Sequence, residues 1–78
     1  MLVNDLNNKN VLVTGGTGMI GRYLVEKLLA KNCNITVVSL DSPEGLPEGV
    51  KFKKLDLTVL ENCVQACEGQ DYVFNLIV

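Results

Sequence analysis

Apolar residues along this chain fall into short unbroken runs and spaced runs, and the two kinds alternate. Val11-Leu12-Val13 is a short β-branched and aliphatic run, the pattern of a strand covered on both faces in a parallel sheet. Ile20, Leu24, Val25, Leu28 and Leu29 then recur at helical spacing and predict one apolar stripe on a helix over 18–31. Arg22 and Glu26, four apart on its polar side, lend weak support. Asn32 is placed to stop the helix, because asparagine tolerates the left-handed conformation in which many helices end. A second unbroken run, Ile35-Thr36-Val37-Val38-Ser39-Leu40, predicts a strand over 34–40.

Residues 41–49 hold both prolines and two of the seven glycines and read as a loop. The following strand, over 50–55, carries Lys51, Lys53 and Lys54. Interleaved lysines suit a sheet edge, where charge discourages pairing with another chain; a basic binding patch is the rival reading. Thr58-Val59-Leu60-Glu61 fits a capping box at the start of a second helix, with Leu60, Val64 and Cys67 as its buried stripe and Gly69 at its end. Residues 72–78 form a fourth apolar run. Right-handed crossovers would order four such strands 3-2-1-4 in a parallel sheet, with two main helices.

Between the first strand and the first helix lies Thr14-Gly15-Gly16-Thr17-Gly18-Met19-Ile20-Gly21. A pyrophosphate must approach the backbone N–H groups at a helix N-terminus, where unpaired donors and the positive end of the dipole face outward. Gly15 would allow the tight turn out of the strand, Gly18 the close approach of phosphates, and Gly21 the packing of helix on sheet. The other reading is a glycine loop that serves folding alone. Asp41 stands twenty positions after Gly21 at the end of the second strand, placed to accept hydrogen bonds from an adenosine ribose. Strand, glycine turn, helix, strand and acid together make a dinucleotide-binding βαβ unit. This favours NAD; the loop after Asp41 offers Glu44 and Glu48 to a 2′-phosphate rather than cations, which disfavours NADP. Asp41 could instead be a solvated turn residue.

The glycines parse as Gly16-x-Gly18-x-x-Gly21 or as Gly15-x-x-Gly18-x-x-Gly21, and the preceding Thr14 favours the second. In that form the stretch resembles the short-chain dehydrogenase/reductase superfamily. From about Asn10 to the end the chain is similar to its extended branch, the NAD-dependent epimerase/dehydratases of nucleotide sugars. The resemblance implies an α/β, partial Rossmann-like three-layer fold, with cofactor contacts from Gly15, Thr17, Gly18, Met19, Ile20, Gly21 and Asp41. It also matches Asp56 and Leu57 to the position that contacts adenine, although Asp56 could simply flank the second helix. Asn75, Ile77 and Val78 depart from the histidine and small residues usual in the family's fourth strand. The family's catalytic Tyr-x-x-x-Lys pair would lie beyond this chain. Tyr23 and Lys27 share the spacing but sit in the first helix, on its flank. No catalytic residue is assigned.

Length and composition narrow the picture. With 78 residues the chain makes one small domain, short of the usual doubly wound fold. Residues 1–9 are expected to be a lead-in and 10–78 the first part of the cofactor domain of a larger enzyme, cut in or after the fourth strand. That strand, uncharged after Asp71, would otherwise be an uncovered edge open to oligomerisation or aggregation. A composition of 47% hydrophobic and 21% charged residues indicates a globular chain. A net charge of −2 supplies no basic field for nucleic acid. No run reaches the roughly 20 apolar residues needed to span a bilayer, and residues 1–9 lack a signal-peptide core, so a cytoplasmic protein is expected. With no histidine, neither a catalytic triad nor a histidine-bearing zinc site can form, and no metal is expected. Cys33, Cys63 and Cys67 read as reduced apolar fillers, with Cys63 and Cys67, four apart on one helix, an alternative redox pair.

Three roles follow from these readings. The first is the NAD-binding part of an epimerase, dehydratase or reductase whose nucleotide-sugar substrate is bound only by the full-length parent, the chain alone being inactive. The second is a stand-alone nucleotide-binding sensor without catalysis. The third is a non-binding remnant.

Overall fold

Val11, Leu12, Val13, Ile35, Val37 and Val38 are all buried, because the two strands that carry them are covered on both faces. A computed structural model describes residues 6–15 and 17–76 of the chain. Its elements follow in the order β1 (Asn10–Thr14), α1 (Met19–Leu29), β2 (Asn34–Ser39), β3 (Lys51–Lys54), α2 (Leu60–Cys67) and β4 (Tyr72–Asn75). The strands form one parallel sheet in the order β3-β2-β1-β4, with Val11 opposite both Ile35 and Tyr72 and Val37 opposite Phe52. The lysine-bearing β3 occupies one edge, as its pattern predicts, and β4 the other.

Alternation along the strands divides the core in two. Val11, Val13, Ile35 and Val37 pack with Val25 and Leu28 of α1. On the opposite face Leu12 and Val38 pack with Ala66 of α2, flanked by Leu55 and Leu57. Leu6, from the segment read as a lead-in, is buried in the first of these clusters; residues 1–5 lie outside the described residues. Asn8 and Asn32, both with left-handed φ, join the segments that lead into β1 and β2 through Asn8 N–H and the Asn32 carbonyl at 3.0 Å.

The apolar stripe of α1 faces the core as its spacing predicts, Val25 and Leu28 buried and Leu24 and Leu29 packed against the same cluster, with Ile20 the exception, whereas α2 sits in a different phase. In α1 the buried positions are Gly21, Val25 and Leu28, an i, i+4, i+7 line, while Ile20 is 74% exposed. The helix ends at Leu29 rather than Lys31, and the left-handed turn at Asn32 follows. In α2 Leu60 is 77% and Val64 57% exposed, Cys67 is also exposed, and Ala66 faces the sheet. The turn before the helix accounts for this rotation. Asn62 Nδ2 donates to the Asp56 carbonyl at 2.9 Å and Cys63 Sγ to the Leu57 carbonyl at 2.8 Å, which ties that face of the helix inward. The expected capping box is not formed. Val59 is the N-cap without a side-chain bond, and the Thr58 hydroxyl donates to Asp56 Oδ1 at 2.6 Å instead. Gly69, at φ +74, follows the end of α2 as expected.

The β4 register is set at its start by a reciprocal pair, Asn10 N–H to Asp71 Oδ2 at 2.8 Å and Asp71 N–H to the Asn10 carbonyl at 2.7 Å. The described strand ends at Asn75, and the expected continuation through Ile77 and Val78 lies outside the described residues. Among the described residues no helix is long and apolar enough to cross a membrane, and no cluster of acidic or sulfur ligands could hold a metal ion.

Candidate functional site

Because all four strands run parallel, their C-terminal ends share one edge of the sheet, and the cofactor-contact residues expected from the sequence lie on the segments that leave it. The connections run one way from β1 and the other way from β3, so the order reverses between β1 and β4. Open α/β sheets bind ligands at such a crevice. Here Thr14 Oγ1 donates to Asn75 Oδ1 at 2.6 Å across that boundary.

Gly15 leaves β1 at φ +75, a conformation costly for a residue with a Cβ, and its N–H donates to the Val38 carbonyl at 3.0 Å. Gly16 lies outside the described residues. Gly18 is the N-cap of α1 with φ −76 and ψ 176, the helix has no side-chain cap, and its first turn holds no acid. The positive end of this helix is therefore left for another acceptor. Gly18 itself is in ordinary extended backbone. A Cβ built there would meet nothing closer than the Gly15 carbonyl oxygen at 3.9 Å. Neither conformation nor internal packing requires glycine at this position. Met19 and Ile20 stand exposed in the first turn, and Gly21 is buried.

Thr17 and Asp41 meet over the end of β2. Thr17 Oγ1 donates to Asp41 Oδ2 at 3.3 Å and lies 3.3 Å from Ser39 Oγ, which accepts from the Asp41 amide at 3.0 Å. Sequence patterning alone submerges Ser39 in an apolar run; a hydroxyl at the last position of a buried strand is the signal that points to it. Arg22, whose spacing suggests only a pairing with Glu26, directs Nη2 to the Glu44 carbonyl at 3.0 Å.

Asp56 and Leu57 belong to a neighbouring cavity of about 430 Å³ on the α2 side, bordered also by Ser39, Leu40, Cys63 and Asn75. The Thr58 hydroxyl and then its amide, the latter at 2.9 Å, hold the Asp56 carboxyl below the usual carboxylate range. Leu57 packs against the Leu12–Val38 cluster. Among the described residues of the glycine stretch Thr14 lines this cavity and residues 15 and 17–21 do not, and Ser39 is shared between the cavity and the Thr17–Asp41 cluster. Cys63 is half-buried at the cavity, Cys67 is exposed and not the expected filler, and Cys33 is buried with its Sγ donating to the Leu28 carbonyl at 3.0 Å. Burial pushes the Cys33 thiol pKa up. Lys27 Nζ sits 5.1 Å from the Tyr23 ring centroid on the exposed flank of α1, a cation–π contact away from the crevice.

Known proteins resemble this chain in sequence and in fold. GDP-mannose 3,5-epimerase of Arabidopsis thaliana is 31% identical over 72 residues, covering 88% of this chain, and the chain spans 19% of that relative's length. An epimerase from the methanogen Methanothermobacter thermautotrophicus superposes with a TM-score of 0.83 at 30% identity, over 96% of this chain and 24% of the other. The Bordetella bronchiseptica enzyme WbmF, solved in complex with NAD+ and UDP, superposes with a TM-score of 0.79 at 31% identity over the same shares. The model of the NAD dependent epimerase/dehydratase family matches residues 11–78, and the chain belongs to that family.

Proposed function

We propose that this chain is the NAD-binding part of an epimerase, dehydratase or related reductase of nucleotide sugars. Gly18 carries the reading. The fold makes no demand for glycine there, whereas a pyrophosphate drawn onto the uncapped first turn of α1 does. Gly15, Thr17, Gly18, Met19, Ile20 and Gly21 would hold the pyrophosphate, Asp41 the adenosine ribose, and Asp56 with Leu57 the adenine. The carboxylate of Asp41 favours NAD over NADP, since a 2′-phosphate would meet like charge. Relatives solved with a nicotinamide dinucleotide support the cofactor, and one solved with UDP-glucuronic acid supports the substrate class.

When bound, the nicotinamide ring accepts and returns hydride. This chain's own residues orient the cofactor, and hydride chemistry is assigned to the remainder of a longer enzyme, because Tyr23 and Lys27 pair with each other on the exposed surface of α1. The test is calorimetric titration of the folded chain with NAD and NADP beside Asp41→Ala. NAD binding that the substitution weakens is the expected result. A folded chain that binds neither dinucleotide, with or without substitution, sinks the proposal, and hydride transfer from NADH to a nucleotide sugar by the chain alone would sink its inactive part.

A further inference from the structure

The loop after Asp41 is held in one shape from three directions. Within the loop, the Glu44 amide donates to Ser42 Oγ at 3.2 Å and the Leu46 amide to the Pro43 carbonyl at 3.1 Å. From below, Leu46 and Val50 pack on the α1 side of the core. From the side, Arg22 reaches out of α1, and Nη2 meets the Glu44 carbonyl. The fit at Gly45 is closer still. Gly45 has φ +83, and a Cβ there would lie 2.8, 2.9 and 3.0 Å from Cζ, Nη1 and Nη2 of Arg22. Three nearly equal distances mean that the guanidinium plane lies face-on against the glycine. A planar group fits this slot, and a tetrahedral ammonium does not.

Arg22 is thus a cation against the loop that follows Asp41, yet it is committed to a backbone carbonyl. We infer that Arg22 is a positioning residue for dinucleotide selectivity. By clamping the loop at Glu44 and Gly45 it keeps the Asp41 carboxylate, three residues before Glu44, turned toward the ribose. An anchored carboxylate bonds a 2′-hydroxyl and repels a 2′-phosphate, while a carboxylate on a loose loop can swing away from the phosphate. The inference rests on the cofactor reading given above and adds the device that enforces NAD over NADP.

The experiment is titration of the chain and of Arg22→Ala, Arg22→Lys and Gly45→Ala with NAD and NADP, with circular dichroism to confirm folding and amide exchange followed at Leu46. Loss of one charged hydrogen bond corresponds to about a tenfold effect. Arg22→Ala is expected to weaken NAD binding by that factor, to leave NADP within about twofold, and to speed exchange at Leu46. Arg22→Lys should behave like Arg22→Ala because the planar contact is lost with the charge kept, and Gly45→Ala should shift the NAD-to-NADP ratio in the same direction. An unchanged ratio, or equal losses for both dinucleotides, overturns the inference while leaving the cofactor site standing. Tighter binding of NADP than NAD by the unsubstituted chain, lost in Arg22→Ala, overturns it by showing that Arg22 leaves the loop for the phosphate. Failure of the folded, unsubstituted chain to bind either dinucleotide overturns the cofactor reading and the selectivity inference with it.

Discussion

Thr17 Oγ1 and Asp41 Oδ2 lie 3.3 Å apart, so the glycine turn leaving β1 and the acid two residues past the end of β2 are joined by a hydrogen bond across 24 residues of chain. The hydroxyl has two roles, since it also meets Ser39 Oγ. Thr17→Val removes both contacts and keeps the shape. Because Thr17 and Asp41 are both assigned to the dinucleotide, loss of the hydroxyl and of its hold on Asp41 should lower NAD affinity about tenfold, the effect of one hydrogen bond to the ligand. Calorimetry checks the affinity, and thermal unfolding should show a change of no more than about 1 kcal/mol, the cost of losing exposed or half-buried hydrogen bonds.

Gly18 separates ligand from fold. In extended backbone with no atom closer than 3.9 Å to the added carbon, Gly18→Ala should alter stability by less than about 1 kcal/mol, lower backbone entropy in the unfolded chain offsetting a weaker N-cap. Dinucleotide binding should nevertheless be lost, because the methyl stands where the phosphate approaches. Equal NAD affinity in the two proteins would return the glycine turn to a purely structural role.

The Asp56 carboxyl owes its lowered pKa to Thr58 first through the side chain and then through the amide. A group with a depressed folded value contributes stability that is fully present above its ordinary value, about 3.9 for aspartate, and that is lost as pH falls through the lowered value. Thr58→Val should move the Asp56 titration, followed by carboxyl NMR, back toward the ordinary value. The acid limb of the unfolding profile should flatten with it. An unmoved titration would mean that another group sets it.

The phase of α2 is open to a direct test. Ala66 is buried between Leu12 and Val38, so Ala66→Leu should overpack this layer and cost about 1–3 kcal/mol. Leu60→Ser, on the exposed side, should stay within about 0.5 kcal/mol. Chemical denaturation measures both, and the reverse ranking would restore the Leu60, Val64 and Cys67 stripe as the buried face.

Legibility in the sequence tracked how local the determining physics is. Strand identity, the order 3-2-1-4, the lysine-marked edge at β3, the left-handed turn at Asn32 after α1 and the glycine after α2 at Gly69 depend on unbroken apolar runs, handedness and single-residue conformation, and all of these are legible in the amino-acid sequence itself. The sequence likewise points to Gly15, Gly18 and Asp41 through their spacing. Helix rotation is another matter. In α1 the stripe holds at Leu24, Val25, Leu28 and Leu29 and fails at Ile20, but in α2 Asn62 and Cys63 bond to the Asp56–Leu57 turn while Leu60 and Val64 stay exposed.

Tertiary structure alone decided the long-range polar pairings. Even locally, the N-cap of α2 falls at Val59, which has no side chain to accept from the first turn, and the Thr58 hydroxyl one residue earlier donates to the Asp56 carboxylate. Thr17 and Ser39 meet at Asp41, Thr14 meets Asn75, and Arg22 meets the loop at Glu44. The contacts Thr14–Asn75, Thr17–Ser39, Thr17–Asp41 and Arg22–Glu44 each join residues at least 22 positions apart in the chain. No periodicity encodes such a contact; it exists only once the parallel sheet has brought the ends of its strands to one edge.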